Sequence, residues 1–249
     1  MTFLNYHKIQ YYKKGFTVVR NIFSKKEILG LMKELEKVKI KAEKRKKNQY
    51  FHKTKDNKFN TIHNIQQFHK KGLIIDLSKK KLLKNLAQII LEDEPIVRNI
   101  EFFLKPKKTG MPSPYHQDNF YWNILSAKAL NIWIACSEAN ENNGGICYLE
   151  GSHLLGTINH EVSFAKGSSQ KIPEKLIPKL LFKKKYPKLK PGDCIIHHPE
   201  VIHGSKKNIS KKDRIGFVVS YKAKNSKTDK NKIIQYKKRL NTNLRKIYN

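Results

Sequence analysis

Residues 130–149 read LNIWIACSEANENNGGICYL and predict two short β-strands joined by a turn. The runs 130–136 and 145–149 are rich in β-branched and aromatic side chains, which pack well on a pleated sheet. Between them lies Asn142-Asn143-Gly144-Gly145. This cluster is typical of turns, because Asn and Gly tolerate left-handed backbone conformations. Short strands separated by such turns favour a β-sandwich or a β-barrel.

The same pattern of short apolar runs separated by turn residues continues along the chain after residue 95, whereas residues 1–94 are predicted to be mainly helical. Further strands are predicted at 96–104, 193–197 and 214–222. In the N-terminal part, Ser24 and Glu27 form a capping-box pattern ahead of an apolar helical stripe, and a second helix is predicted after Ser78. We therefore predict a mainly β fold with flanking helices and an α-helical N-terminal region.

The chain is strongly basic, but its charge is unevenly distributed. Its 249 residues contain 52 Lys and Arg against 20 Asp and Glu, a formal net charge of +32. Residues 111–165 hold one Lys and five acidic residues, so this segment is −4 and the rest of the chain carries +36. Such a charge suggests a nucleic-acid binder, yet the basic residues are mostly scattered lysines that avoid this central segment. We therefore expect a basic surface and disfavour nucleic acid as the partner.

Three polar segments are predicted to surround the β-rich core of residues 95–222. Residues 41–72 are interpreted as a loop with short structure, and His52, His63 and His69 within it are expected at the surface rather than on a metal. Residues 159–190 are predicted to be a lid insert, and residues 223–249 a basic and weakly helical tail. We expect all of them to belong to one domain spanning 1–249.

The cysteines and the apolar runs indicate in which cellular compartment the protein is expected. Cys136, Cys147 and Cys194 are widely spaced and odd in number, which argues against a disulfide framework and favours a reducing compartment. The first fifteen residues lack the apolar run of a signal peptide, and no apolar stretch is long enough to span a membrane. We therefore expect a cytoplasmic protein without membrane contact.

The segment Pro114-Tyr115-His116-Gln117-Asp118 offers two candidate metal ligands. On a strand, residues i and i+2 project to the same face, so His116 and Asp118 are expected side by side and Gln117 on the opposite face. One more histidine would complete the two-histidine, one-carboxylate arrangement of non-haem Fe(II) oxygenases, which leaves coordination positions open. The spacing alone is a weak signal, because roughly 0.3 such pairs arise by chance in a chain of this composition.

A later segment supplies the third candidate ligand and a cation. His203-Gly204-Ser205 follows a strand, and Arg214 begins the next one. An antiparallel partner strand would bring Arg214 back toward the metal, where its planar guanidinium could pair with a carboxylate of a co-substrate. The alternative pair in His198-Pro199-Glu200 is disfavoured, because Pro interrupts strand geometry. The other histidines of this region are expected to pack or to support the ligands: His153, His160, His197 and His198.

These motifs resemble, in content and order, those of the phytanoyl-CoA dioxygenase family. The matching stretches are His116-Gln117-Asp118, Asn131-Ile132-Trp133-Ile134-Ala135, Glu141-Asn142-Asn143-Gly144-Gly145, Glu150-Gly151-Ser152-His153, Pro191-Gly192-Asp193, and His203-Gly204-Ser205 with Arg214. The resemblance runs from about Gly15 to Tyr221. It implies a double-stranded β-helix (jelly-roll or cupin-like) core that binds Fe(II) and uses 2-oxoglutarate and O2 as co-substrates.

Carried over by position, the resemblance also implies roles for single residues. His116, Asp118 and His203 would bind iron, and Arg214 would hold the distal carboxylate of 2-oxoglutarate. Ser205 would assist at that carboxylate, and Trp133 would line the co-substrate pocket, although a purely structural aromatic anchor is an equally good interpretation of Trp133. Lys105 and Gln117 are further candidates for contact with the substrate or co-substrate.

The implied reaction is hydroxylation of an aliphatic C–H bond in a small or medium-sized metabolite, with release of succinate and CO2. Asp118 favours hydroxylation over halogenation, because halogenating relatives of the fold need a small residue there. Two alternatives stay open: a non-catalytic barrel that binds an anionic partner, and an oxygenase that acts on a macromolecule. An anionic substrate would suit the basic surface, while substrate identity and oligomeric state are not predicted.

Overall fold

The computed structural model describes residues 1–45, 50–165, 168–236 and 238. Within these ranges the labelled α-helices are α1 (Phe3–Lys14), α2 (Lys25–Glu43), α3 (Leu73–Leu77), α4 (Lys81–Leu91) and α5 (Asp118–Trp122), and residues 230–236 are also helical. The strands are β1 (Phe16–Val19), β2 (Phe51–Lys53), β3 (Phe59–Ile62), β4 (Pro95–Lys105), β5 (Ser113–His116), β6 (Ala129–Ala135), β7 (Ile146–Leu149), β8 (Glu161–Ala165), β9 (Ser168–Lys171), β10 (Lys184–Lys185), β11 (Cys194–His197), β12 (His203–Ser205) and β13 (Arg214–Ala223). Parts of the predicted loop, lid and tail, namely 46–49, 166–167, 237 and 239–249, lie outside the described residues.

Two antiparallel sheets form the β-rich part of the molecule. The larger sheet has the order β1-β11-β6-β13-β4-β3-β2, the smaller one the order β10-β7-β12-β5, and β8 pairs with β9 separately. The five strands expected from the sequence correspond to β4, β6, β7, β11 and β13, with bounds that agree within one residue. The predicted class, mainly β with a jelly-roll core and flanking helices, is confirmed.

Alternation along β6 explains why the larger sheet is buried on both faces. Ile132 and Ile134 belong to the apolar cluster that includes the helices, whereas Trp133 and Ala135 belong to the cluster between the two sheets. Successive strand residues point to opposite faces, so a strand covered on both sides reads as a nearly continuous apolar run. All seven residues of β6 are buried. Polar Asn131 is therefore conspicuous in this strand.

The helical N-terminal region packs on the outer face of the larger sheet. Helix α2 begins with the predicted capping box, because Ser24 Oγ accepts from the Glu27 amide at 3.2 Å and Glu27 Oε2 accepts from the Ser24 amide at 2.7 Å. Strands also occur here, and the sequence analysis did not place them: β1 pairs with β11, and β2 and β3 extend the other edge of the sheet. Their runs are too short to be distinguished from loop by periodicity alone.

His69 is a buried structural residue, so its expected surface position is wrong. Its side chain is 4% exposed and bonds through Nε2 to Glu34. Glu34 also accepts from the amide of Ile74 at 3.0 Å. The pair thus ties α2 to the start of α3, and a buried carboxylate is compensated by two donors.

The three cysteines are buried and form no disulfide with one another. Burial raises the pKa of Cys136 to about 12, which keeps this thiol protonated and unreactive at neutral pH. None of the helices in the described parts of the chain combines the length and the apolar character that a membrane span requires.

Candidate metal centre and its cavity

The candidate ligands His116, Asp118 and His203 meet at one point. Each offers a ligand atom, and the three atoms lie within 4.8 Å of one another. Nε2 of His116 is 3.8 Å from Oδ1 of Asp118, and Nε2 of His203 is 3.9 Å from Oδ2. Among the described residues this is the only cluster of three or more His, Cys, Asp or Glu side chains with such spacing.

The local backbone differs from the regular strand that the sequence analysis assumed. Strand β5 ends at His116, and Asp118 is the first residue of the short helix α5. Gln117 between them keeps an extended conformation, with φ −124° and ψ 132°, so the two candidate ligands still face the same side. His203 arrives from β12, where it pairs directly with His116.

Backbone carbonyls orient both candidate imidazole ligands. Nδ1 of His116 lies 2.8 Å from the carbonyl oxygen of Pro114, and Nδ1 of His203 lies 3.0 Å from that of Val201. A carbonyl only accepts, so Nδ1 carries the proton and the Nε2 lone pair faces the centre. Burial, together with the neighbouring His203, lowers the pKa of His116 to about 4. Both rings are thus held as neutral ligands at physiological pH.

The carboxylate of Asp118 is held through one oxygen. Oδ2 accepts from Asn131 Nδ2 at 2.6 Å and from His197 Nε2 at 3.1 Å. His197 in turn accepts through Nδ1 from the Tyr148 hydroxyl at 2.9 Å. Burial opposes ionisation of Asp118, but His203, His197 and His116 outweigh it and lower the pKa of this carboxyl group. His197 thus has the supporting position expected from the sequence, whereas Asn131 and Tyr148 are supporting residues that the sequence did not predict.

A cavity of about 360 Å³ opens beside this cluster and contains the predicted Arg214, Trp133 and Ser205. Arg214 is 2% exposed, and its Nε is buried without a hydrogen-bond partner. Its guanidinium lies 5.3 Å from the centre of the Trp133 ring and forms no salt bridge with any carboxylate of the described residues. Burial lowers the pKa of Arg214 to about 9. Such an unpaired buried cation is suited to bind a carboxylate from solution.

Arg214 reaches the cavity from the sheet opposite to the histidines. The expectation that its strand pairs with the strand of His203 is wrong: β13 pairs with β4 and β6, whereas β12 pairs with β5 and β7. The two residues converge across the space between the sheets. This arrangement is a property of sheet topology, which the sequence spacing of His203 and Arg214 does not encode.

Lys105 does not line the cavity, contrary to its proposed contact with substrate or co-substrate. Its side chain is 3% exposed, and its Nζ donates to the carbonyl oxygen of Lys206. A Cβ added to Gly144 would lie 2.6 Å from Lys105 Cδ, and one added to Gly110 would lie 2.7 Å from Lys105 Cβ. The lysine is therefore clamped along its length and anchors the loop after β12.

Gln117 also has a structural role instead of the proposed contact with a ligand. Its Nε2 donates to the carbonyl oxygens of Gly156 and Glu200 at 2.8 and 2.7 Å, and its Oε1 accepts from the Ile158 amide at 2.8 Å. The side chain is fully buried on the side away from the cavity, as its opposite orientation predicts. It ties the segment carrying His116 to two loops.

Histidines outside the cluster divide into structural and cavity-lining residues. His160 accepts from the amide of Gln117 at 3.0 Å, and His198 accepts from that of Glu200 at 3.1 Å. The disfavoured pair of His198 and Glu200 joins no metal-binding cluster in the described chain. His63, by contrast, was expected at the surface, and this is wrong: it lines the cavity and bonds to Glu101 at 2.8 Å.

Six further residues of the cavity wall were not predicted from the sequence. They share an aromatic or charged side chain and are Arg98, Glu101, Phe103, Tyr121, Trp122 and Tyr236. Tyr236 lies in the helical segment 230–236 of the predicted tail and bonds to Ser169 of β9 at 2.9 Å. Both the tail and the predicted lid therefore contribute to the wall.

Comparison with known proteins agrees with this geometry. The protein is 28% identical over 129 residues to phytanoyl-CoA dioxygenase domain-containing protein 1 of Bos taurus, a match that covers 49% of this chain and 43% of the bovine protein. It is 24% identical over 234 residues to an ectoine dioxygenase of Bordetella bronchiseptica, covering 88% of this chain and 75% of that protein. The chain thus spans less than half of the first relative and three quarters of the second.

A solved structure shares the fold. EctD from S. alaskensis in its apoform superposes with a TM-score of 0.75 at 20% identity, covering 92% of this chain and 80% of that one. A family model described as phytanoyl-CoA dioxygenase (PhyH) matches residues 11–216, a range that contains the His116, Asp118 and His203 cluster as well as Arg214. Since the match spans most of the sequence and all of these residues, the chain belongs to the phytanoyl-CoA dioxygenase family.

Proposed function

We propose that this protein hydroxylates an aliphatic C–H bond of a small metabolite and converts 2-oxoglutarate to succinate and CO2 in the same reaction. The enzyme class, an Fe(II)- and 2-oxoglutarate-dependent dioxygenase, follows from the family to which the chain belongs. The observation that carries the proposal is the His116, Asp118 and His203 cluster facing a cavity that also holds an unpaired buried arginine.

His116, Asp118 and His203 fit an Fe(II) ion. Two imidazoles and one carboxylate are the donor set of non-haem iron oxygenases, which leaves positions open for other ligands. Both imidazoles direct Nε2 to the centre because carbonyls hold Nδ1–H. Asp118 has its Oδ2 engaged by two donors, which leaves Oδ1 for the ion.

Arg214 fits the distal carboxylate of 2-oxoglutarate. A buried guanidinium without an anionic partner is costly, and the dicarboxylate would supply that partner by a bidentate ion pair. Ser205 lines the same cavity and is proposed to donate to the same carboxylate. The Trp133 ring lies against the guanidinium of Arg214, within the distance of a cation–π contact.

The protein residues would bind and orient the reactants and exclude water from them. Iron, when bound, supplies the activation of O2 that drives decarboxylation of 2-oxoglutarate and oxidation of the substrate. The Asn131 amide and the Tyr148–His197 pair hold the Asp118 carboxylate in place. Tyr121, Trp122 and Tyr236 shield the centre from solvent on the substrate side.

The cavity supports a small substrate. Its volume of about 360 Å³ is at the low end of the ~300–1,000 Å³ range of ligand sites, and 2-oxoglutarate would occupy part of it. A macromolecular substrate would have to insert a single side chain or nucleotide past Tyr236. We also propose one oxygenase domain over residues 1–249 and a cytoplasmic location, which the odd number and wide spacing of the three cysteines support.

Succinate formation tests the proposal. Purified protein with Fe(II), 2-oxoglutarate and O2 should release succinate, and pooled small metabolites should accelerate the release. Asp118→Ala should abolish it, because the metal loses its only carboxylate ligand. Asp56→Ala, at an exposed position of the β2–β3 turn, is the matched control and should retain full activity. Full turnover by Asp118→Ala or His116→Ala would refute the assignment.

A further inference from the structure

Arg98 is an extra residue in strand β4. Along the ladder between β4 and β13, Asn99 pairs with Ser220 and Val97 pairs with Tyr221, which leaves Arg98 without an opposite residue. A bulge of this kind turns a side chain away from the direction that alternation would give it, and bulges are common beside active sites. Here Arg98 joins the adjacent Asn99 in the wall of the cavity.

The guanidinium of Arg98 forms no salt bridge with the residues that the structure describes, although the carboxylates of Glu101 and Asp118 attract it from a longer distance. It lies 4.5 Å from the centre of the Trp122 ring. The amide of Asn99, oriented so that both of its polar atoms are satisfied, accepts from Arg98 Nη1 at 2.9 Å. Glu101 also lines the cavity, but its carboxylate bonds to His63. Arg98 therefore has one aromatic and one neutral short-range contact, and only the longer-range attraction of Glu101 and Asp118 balances its charge.

Arg98 and Arg214 approach the cavity from different ends. Arg214 pairs with Lys105 in the ladder between β13 and β4, and Lys105 is seven residues from Arg98. At ~3.3 Å per strand residue this separation is about 23 Å along the backbone. Arg98 instead lies near α5, because Trp122 is the last residue of the helix that begins at Asp118. Arg98 therefore reaches the cavity from the opposite end of β4 to the residue that pairs with Arg214.

We infer that Arg98 binds an oxyanion of the substrate, a carboxylate or a phosphate, so that the substrate class is small organic acids. The inference deepens the proposed function and depends on it in one respect: the bound anion belongs to a substrate only if the protein is the proposed dioxygenase. Its physical basis is that a partly buried guanidinium stacked on an indole is already oriented for bidentate pairing, and a desolvated arginine gains most from an anion. Glu101 bonds to His63 through Oε1, and its other carboxylate oxygen would accept from a hydroxyl or amino group of the same molecule.

Anion binding can be measured without turnover. The protein is loaded with Zn(II), which supports no redox chemistry, and with 2-oxoglutarate, which occupies Arg214. Sodium acetate, inorganic phosphate or acetamide is then titrated at constant ionic strength while tryptophan fluorescence is recorded, because Trp122 lies against Arg98. Acetate or phosphate should give a saturable change, and acetamide should give none. Whichever anion binds more tightly identifies the group that the substrate carries.

The variants decide the inference. Arg98→Gln should weaken the binding of the preferred anion at least tenfold, Arg98→Lys should retain part of it, and Trp122→Phe should remove most of the signal. Arg45→Gln, at an exposed position, should behave like the wild type. The inference is wrong if neither anion binds saturably to the wild type, or if Arg98→Gln binds the anion as tightly as the wild type does.

The two failures can be distinguished. If iron-dependent succinate formation is absent while anion binding still depends on Arg98, the proposed function fails and the anion site stands. If succinate forms but anion binding does not depend on Arg98, the proposed function stands and the substrate class does not. Thermal unfolding of each variant checks its fold. If Arg98→Gln is unstable, the reduced anion affinity of Arg98→Lys, which keeps the positive charge, still tests the inference.

Discussion

The indole of Trp133 covers the α-carbon of Gly216 on the neighbouring strand. A Cβ added at Gly216 would lie 2.1 Å from Trp133 Cζ2, which is far inside van der Waals contact. The same indole lies against the guanidinium of Arg214. The absence of a side chain at Gly216 therefore helps to determine the position of the arginine that we propose as the 2-oxoglutarate ligand.

Gly216→Ala should therefore weaken the binding of 2-oxoglutarate. The methyl group must displace the indole, and overpacking of this kind costs about 1–3 kcal/mol. Isothermal titration of Zn(II)-loaded protein with 2-oxoglutarate measures the effect. The double variant Gly216→Ala/Trp133→Phe should recover part of the stability lost in the single variant, because the smaller ring makes room. Equal affinities of wild type and Gly216→Ala would contradict this account.

Arg214→Gln should weaken 2-oxoglutarate binding by at least about 30-fold, since leaving a buried carboxylate unpaired costs ~2–5 kcal/mol. Arg214→Lys should recover only part of the affinity, because an ammonium lacks the planar fork that pairs with both oxygens. The KM for 2-oxoglutarate in the succinate assay is the measurement. Arg45→Gln controls for the loss of one positive charge, and a KM unchanged by Arg214→Gln would exclude Arg214 as the ligand.

Loss of the Tyr148–His197–Asp118 hydrogen bonds should weaken metal binding. His197→Phe removes a donor to Asp118 Oδ2 and should lower metal affinity about 10- to 100-fold, as is typical of groups that orient metal ligands. Tyr148→Phe should have a smaller effect in the same direction. Competition between the protein and a chelator for Zn(II) measures both. Tyr221→Phe, whose hydroxyl bonds to Ser78 in the helical region, should destabilise the fold without changing metal affinity.

The metal-free protein should lose stability as the pH falls below 6.5. Burial, together with the nearby His153 and His197, lowers the pKa of His198 to about 3, and burial lowers that of His160 to about 4. The unfolded chain therefore binds these protons first, so the stabilisation is complete above pH 6.5 and is lost toward the folded-state values. For His198 alone the loss at pH 5 is about 2 kcal/mol.

Urea unfolding at pH 8, 6 and 5 measures this dependence. His198→Phe keeps an aromatic ring against Tyr11 and should flatten the pH profile, because it removes the group that takes up the proton. If the stability of the variant fell with pH as steeply as that of the wild type, other buried histidines and carboxyl groups would account for the whole effect. That result would exclude His198 as a contributor.

Much of this molecule could be predicted from the sequence. The strands β6 and β11 are nearly continuous apolar runs, because both faces of the larger sheet are covered there, and such runs can be recognised in the sequence without knowledge of the partner strand. The order of His116, Asp118, His203 and Arg214 was sufficient to predict which residues form the candidate metal cluster and which arginine shares its cavity. These residues are adjacent to strands whose existence the local sequence dictates.

The remaining part of the site depends on long-range geometry. Arg98 acquires its role from a one-residue register shift between β4 and β13, and no local pattern encodes a register shift. His63 and Tyr236 enter the cavity wall from segments that read as loop and tail. Lys105 was misjudged for the same reason: its position near the site was correct, but the glycines that confine its side chain lie far away in sequence.

The placement of the candidate ligands on two sheets couples ligand binding to the cohesion of the barrel. His116 and His203 belong to the smaller sheet and Arg214 to the larger one, so a 2-oxoglutarate molecule chelating iron at one end and paired with Arg214 at the other would bridge them. Its binding free energy then adds to the stability of the folded state in proportion to the logarithm of its concentration. The lifetime of the folded enzyme would thereby depend on the metabolic supply of the molecule that it consumes.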